Sequence, residues 1–123
     1  MHGALKFMTS VFMVMAWSAT AHAFMEYPAM LKDKISQYPG SEIVQTTSME
    51  ASTQVILQSG DSMEKIGAFY LKELSANGLH IEMETKREQG WNVFFTHEDA
   101  GGMIGLMEQG PDKVIVTIVY GSN

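Results

Sequence analysis

The stretch GDSMEKIGAFYLKELSANGL, residues 60–79, decides how the rest of the chain is read. Asp61 is a good N-cap, and Glu64 three residues later resembles the second half of a capping box. Met63, Ile66, Gly67, Tyr70 and Leu74 recur at helical spacing, with Phe69 at the edge of that face. Gly67 lets such a helix lie close to whatever it packs on. Asn77-Gly78 ends it, because glycine accepts the left-handed conformation of a helix C-terminus. One amphipathic helix therefore sits in mid-chain, with an apolar side that needs a partner layer.

After this stretch the period changes to two. In LHIEMETK, Ile81 and Met83 alternate with His80, Glu82 and Glu84. REQG is a turn, and WNVFFTH places Trp91, Val93, Phe95 and His97 on one face. EDAGG, Glu98 to Gly102, reads as another turn. MIGLMEQ sets Met103, Gly105 and Met107 opposite Ile104 and Leu106. GPD turns again into KVIVTIVY, the most apolar strand, suited to a central place or to cover on both faces. Four strands joined by short turns predict an antiparallel meander.

Before the helix, SEIVQTTS and STQVILQS are rich in β-branched residues and read as a hairpin around Met49 to Ala51. YPGS, Tyr38 to Ser41, is a Pro-Gly turn. Pro28, Met30, Leu31 and Ile35 suggest a short helix from about Pro28 to Ser36. The predicted fold is α+β: a two-layer sandwich with one long helix on a mostly antiparallel sheet, in the order (α)-β-β-α-β-β-β-β. No internal repeat interrupts it, and the placement of the first hairpin in the sheet stays open.

Three of these segments are similar to a recurring set of small exported bacterial domains. They are YPGSEIV, SGDSMEKIGAFYLKEL and the NGL that precedes an alternating strand. The likeness runs roughly from Ile35 to Met83. Many such domains carry Trp after the closing glycine, where this chain has Leu79. The resemblance implies an exported α+β domain and carries no catalytic residue with it.

The start of the chain points the same way. MHGALK carries Lys6 and no acid, Phe7 to Trp17 is apolar, and Ala21-His22-Ala23 supplies small residues at a cleavage site. This is the pattern of a secretory signal peptide over residues 1–23, leaving a single domain over 24–123. The apolar run is shorter than the ~20 residues that span a bilayer. The expected location is the bacterial periplasm or the medium. Cleavage removes Lys6 and no acid, so seven basic residues remain against fourteen acidic ones. Such a surface argues against nucleic acid and anionic lipid. The chain has no cysteine, which removes thiol catalysis and thiolate metal sites and leaves stability to burial alone.

The residues that carry chemistry are few. His97-Glu98-Asp99 is the densest group of possible metal ligands, and His80 joins it only if its strand reaches the same end and face. Consecutive residues on a strand point apart, so a polar turn is the plainer reading. The downstream methionines, Met103 and Met107 among them, raise Cu(I) binding, but they lack M-x-x-M clustering and a neighbouring histidine. GGMIG is no phosphate loop, since neither Lys-Ser/Thr nor a helix follows. Trp91 and Phe95, with Val93, form either the core face or an exposed binding patch. Three apolar residues against Phe94 favour the core. The expected role is non-catalytic binding of a protein, peptide or envelope component, without cofactor, through the sheet face or its edges. The rivals are a small hydrolase or metal-dependent enzyme using His97 and nearby acids, and a copper carrier using Met and His.

Overall fold

The computed structural model describes residues 25–122. The expected signal peptide lies outside them. Six strands and one helix follow in order: β1 Glu42–Ser48, β2 Ser52–Ser59, α1 Met63–Ala76, β3 His80–Lys86, β4 Gly90–His97, β5 Ala100–Gly110 and β6 Lys113–Ser122. The strands form one sheet in the order β1-β2-β6-β5-β4-β3, and all neighbours run antiparallel. β6 is interior, as its composition suggests. The first hairpin joins the sheet through β2 on β6, a pairing that local sequence leaves open.

This corrects the expected fold. The sheet dominates, the helix has 14 residues, and no helix precedes β1 among the described residues. Residues 29–34 make successive turns instead. The amides of Leu31, Lys32 and Lys34 each reach back three residues, and only Ile35 bonds four back, to Leu31. Such a short segment cannot recover the cost of helix nucleation, so it takes the tighter turn geometry. It is anchored by side chains: Leu31 and Ile35 are fully buried. It docks on α1, where the Ser36 amide donates to Glu73 at 2.9 Å and the Asn77 amide group donates to the Lys34 carbonyl at 2.7 Å.

Two helix signals act differently from their sequence reading. Ser62, one residue after Asp61, is the N-cap, and its hydroxyl accepts from the Lys65 amide at 3.2 Å. Asp61 instead accepts from the Tyr38 hydroxyl at 2.6 Å, tying the leading segment to the helix start. The C-terminus closes as a Schellman motif. Leu79 N–H donates to Leu74 C=O at 2.9 Å, Gly78 N–H to Ser75 C=O at 3.3 Å, and Gly78 has φ +76°. Leu74 and Leu79 are both buried, which supplies the apolar contact of that motif.

The turns are also shorter than expected. The β4–β5 turn is Glu98-Asp99 alone, with His97 opposite Ala100, so Gly101 and Gly102 lie inside β5. A Cβ at Gly102 would sit 1.8 Å from the Val119 carbonyl oxygen, so only glycine allows β5 and β6 to approach there. Likewise, Pro111 and Asp112 make the last turn, with Gly110 opposite Lys113.

The core lies between α1 with the leading segment and one face of the sheet. Met63, Ile66, Tyr70 and Leu74 meet Val55, Leu57, Val93, Phe95, Ile104, Val116 and Ile118. Burial of each large apolar side chain contributes roughly 1.5–3 kcal/mol. Trp91 sits directly under Gly67. A Cβ at Gly67 would fall 2.0–2.6 Å from three atoms of the indole. Helix propensity alone favours Gly67→Ala by about 1 kcal/mol. The steric overlap is larger, since overpacking of this kind costs about 1–3 kcal/mol or more. We expect Gly67→Ala to lower the unfolding free energy in denaturant titrations, and a stabilised variant would disprove the close seat of helix on indole.

Candidate functional site

Alternation on the strands sends Trp91, Val93 and Phe95 toward the helix and Asn92, Phe94 and Thr96 away from it. Trp91 is 6% exposed and Phe95 2%, so both side chains lie in the core. The Trp91 indole N–H donates to Glu84 Oε2 at 2.7 Å, and the Lys86 ammonium lies 4.2 Å from the ring centroid. Phe95 stacks on Tyr120 with centroids 6.1 Å apart. These aromatic groups hold β3, β4 and β6 beneath the helix.

The histidine cluster does not assemble. His97 lies on the helix side of β4, where its Nδ1 is 3.3 Å from the Gly78 carbonyl oxygen at the end of α1. His80 is paired with Thr96, on the opposite face of the sheet. Glu98 takes φ +54° in the tight hairpin turn, as a primed turn requires of its first residue. Its neighbour Asp99 completes that turn. Among the described residues, no three His, Asp or Glu side chains converge as a metal-holding group. The two acids of β3 also separate, because a register break between Ile81 and Met83 intervenes. Glu82 accepts from the Thr96 hydroxyl at 3.0 Å, while Glu84 holds Trp91.

Tyr70 is buried in an aromatic group with Tyr38 and Phe69. Phe69 meets both edge-on, at 5.2 Å from Tyr38 and 5.0 Å from Tyr70. Among the described residues no group makes a well-formed hydrogen bond to the buried Tyr70 hydroxyl. Burial pushes its pKa far up, reinforced by nearby Tyr27, although the Tyr38 backbone lies close enough to offset part of the rise. Burial, with the hydrogen bond to Asp61, pushes Tyr38 up to about 12. Both are therefore neutral phenols through the physiological range.

The opposite face of the sheet has a different character. No helix among the described residues lies on it. Register aligns Met83, Phe94, Met103 and Val119 in one row across four strands. The next row is Asn92, Gly105, Thr117 and Ile56, and a third is Met107, Ile115 and Gln58. From β2 to β4 these rows hold no Asp, Glu, Lys or Arg, in a chain with fourteen acids. Met107 is 57% exposed and Met83 54%. Gly105 has no side chain to fill its row, so a hollow of about 230 Å³ opens there between Met103, Met107, Ile115, Thr117 and Asn92. That volume is below the usual 300–1,000 Å³ of a small-molecule pocket and suits one inserted apolar group. The thioethers of Met103 and Met107 line it with no histidine among them. A second hollow, about 280 Å³, lies between Met25, Gln37, Glu42 and Ile43, where the Glu42 carboxylate makes a less apolar wall.

Residues 39–118, from the Pro-Gly turn through most of β6, match the START domain-like family. The chain belongs to the START domain-like family. The match takes in α1, every strand from β1 to β5 and most of β6, and leaves the leading segment outside it. It assigns a family to a sheet-dominated fold and carries no information about export. No curated protein and no solved structure matches the chain. The period-two pattern of β5 and β6 held the signal for the open face of this START domain-like protein. Which of the two strand faces stays uncovered depends on where α1 docks, and α1 covers Ile104, Leu106, Val116 and Ile118.

The buried Tyr70 hydroxyl supplies a direct check of the covered side. Burying an unsatisfied polar group costs about 1–3 kcal/mol. Tyr70→Phe is therefore expected to raise stability by roughly 1 kcal/mol. Tyr70→Ala should lower it by about 3–5 kcal/mol, as for other large aromatic truncations. Chemical denaturation of both variants gives the comparison, and a less stable Tyr70→Phe would mean that the hydroxyl has a partner.

Proposed function

We propose that this START domain-like protein is a non-catalytic binding module of the bacterial cell envelope, and that it binds through the uncovered face of its sheet. The observation that carries the reading is the uncharged, apolar centre of that face in a strongly acidic chain. Exposed apolar area of this kind costs solubility and marks interaction surfaces. The partner is a protein, a peptide or an envelope component that offers an apolar group to the hollow at Gly105. Met103 and Met107 are its adaptable walls, because unbranched thioether side chains repack around different shapes.

The separation of His80 and His97 onto opposite faces supports binding over hydrolysis. The histidine-free lining of the Met103–Met107 hollow favours an apolar partner over a copper ion. Export is supported by the charged, apolar and small-residue order of residues 1–23. The protein recovered from the periplasm or medium is expected to begin at Phe24 by intact mass. Recovery of the full-length chain from the cytoplasm would remove the envelope from the proposal.

Binding is tested with a photoreactive amino acid at Met107, introduced in growing cells. A discrete adduct is expected from this position. None is expected from Lys65, on the exposed side of α1, and the adduct should vanish when Phe94→Glu is added. Equal labelling from Met107 and Lys65, or an adduct indifferent to Phe94→Glu, would overturn the assignment of the face.

A further inference from the structure

The two edges of the sheet are unlike. β3 is guarded: it carries Glu82, Glu84 and Lys86 and its register breaks between Ile81 and Met83. Charges and bulges are the usual defences of an edge strand. β1 has its irregularity early, between Ile43 and Gln45, and then runs regularly through Gln45, Thr46, Thr47 and Ser48 without a charge or a proline. These four residues are exposed, and no described strand pairs with their outer side. The Met49 amide donates to the Ser52 carbonyl at 2.8 Å. Antiparallel alternation then turns the backbone groups of Gln45 and Thr47 toward β2 and those of Thr46 and Ser48 outward.

We infer that β1 pairs with β1 of a second copy of this chain, antiparallel about a two-fold axis at Thr47. In that register Thr46 of each copy faces Ser48 of the other, so the outward donors and acceptors on both strands meet. Gln45 falls opposite Met49, and Glu50 opposite Val44, so no acid meets an acid. β3 offers no equal run for such a pairing, because its register breaks between Ile81 and Met83 and the break is flanked by charged residues. A head-to-tail contact of β1 on β3 would leave the β3 acids with no cation to meet, since β1 has none. Charge thus selects the closed β1–β1 pair, the symmetry most homo-oligomers adopt. The result is one continuous sheet across both copies. Thr47 lies opposite Gln54, in the same row as Met103 and Phe94, so the pair sets the two open faces side by side.

Sedimentation equilibrium across a concentration series tests this. The wild-type mass should rise from one chain toward two. At the axis Thr47 meets itself, in a pair where side chains are closest. Thr47→Lys and Thr47→Glu, alone, each set like charges together and should weaken association by about tenfold or more. Their equimolar mixture should regain the two-chain mass. Thr46→Pro, which removes an outward donor without touching the β2 ladder, should also remain a single chain, and circular dichroism checks that each variant folds. A wild type that stays one chain throughout, charged variants that associate like the wild type, or a mixture that stays monomeric would each overturn the pairing. Photocrosslinking from Met107 reads a different strand, so either idea can fail without the other.

Discussion

The seat of Gly67 on the Trp91 indole is the contact on which the covered side of this protein depends. A helix above a sheet must choose a height and an angle, and a side chain at the crossing sets both. Here the crossing residue has none, so backbone meets ring directly. The indole is fixed from below by Glu84 and flanked by Lys86, which gives it one orientation. Ile66, Tyr70 and Leu74 can then reach the strands on either side. The buried Tyr70 hydroxyl is a local cost of this close packing, small beside the apolar area that the same ring buries.

Once the helix is seated, the leading segment has a place as well. Tyr38 reaches Asp61 and packs edge-on against Phe69, while Leu31 and Ile35 fill the margin of the core. Everything described outside the sheet therefore gathers on one side. The other side is bare by consequence, and its strands expose methionine, phenylalanine, valine and isoleucine at alternate positions. A short helix cannot cover both faces of six strands. The division between a closed face and an open one follows from that single limit, and the binding role rests on the open one.

Much of the architecture was legible in residue patterns. Period-two alternation marked the four-strand meander, and the Met63–Leu74 spacing marked the helix and its buried side. The expected fold of one long helix on a sheet gives way to a sheet-dominated one with a single 14-residue helix among the described residues, and the other differences have local physical causes. Pro28 to Ser36 has helix-like residues but too few of them to pay for nucleation, so it folds as turns. Asp61 and Ser62 are both competent caps, and the pull of Tyr38, distant in sequence, assigned the role to Ser62. Gly101 and Gly102 resemble a turn, but they serve the close approach of β5 to β6. The sheet outweighs the helix because the first hairpin joins the meander through β6.

By itself, the sequence determined the faces of β2, β4, β5, β6 and α1, since alternation and the helix's apolar stripe are properties of neighbouring residues; on β3 a register break sends Ile81 and Met83 to opposite faces. It also determined the acidic balance, the absence of thiols and the poverty of catalytic motifs. Only the tertiary structure decided which face α1 would cover, where the first hairpin would attach, and that His80 and His97 would part to opposite sides. Those outcomes depend on contacts between residues far apart in the chain, Gly67 with Trp91, Thr53 with Tyr120 and Tyr38 with Asp61, and no local period encodes them. The candidate site belongs to this second group. Its residues are ordinary strand residues until the helix settles on their neighbours and leaves them in water.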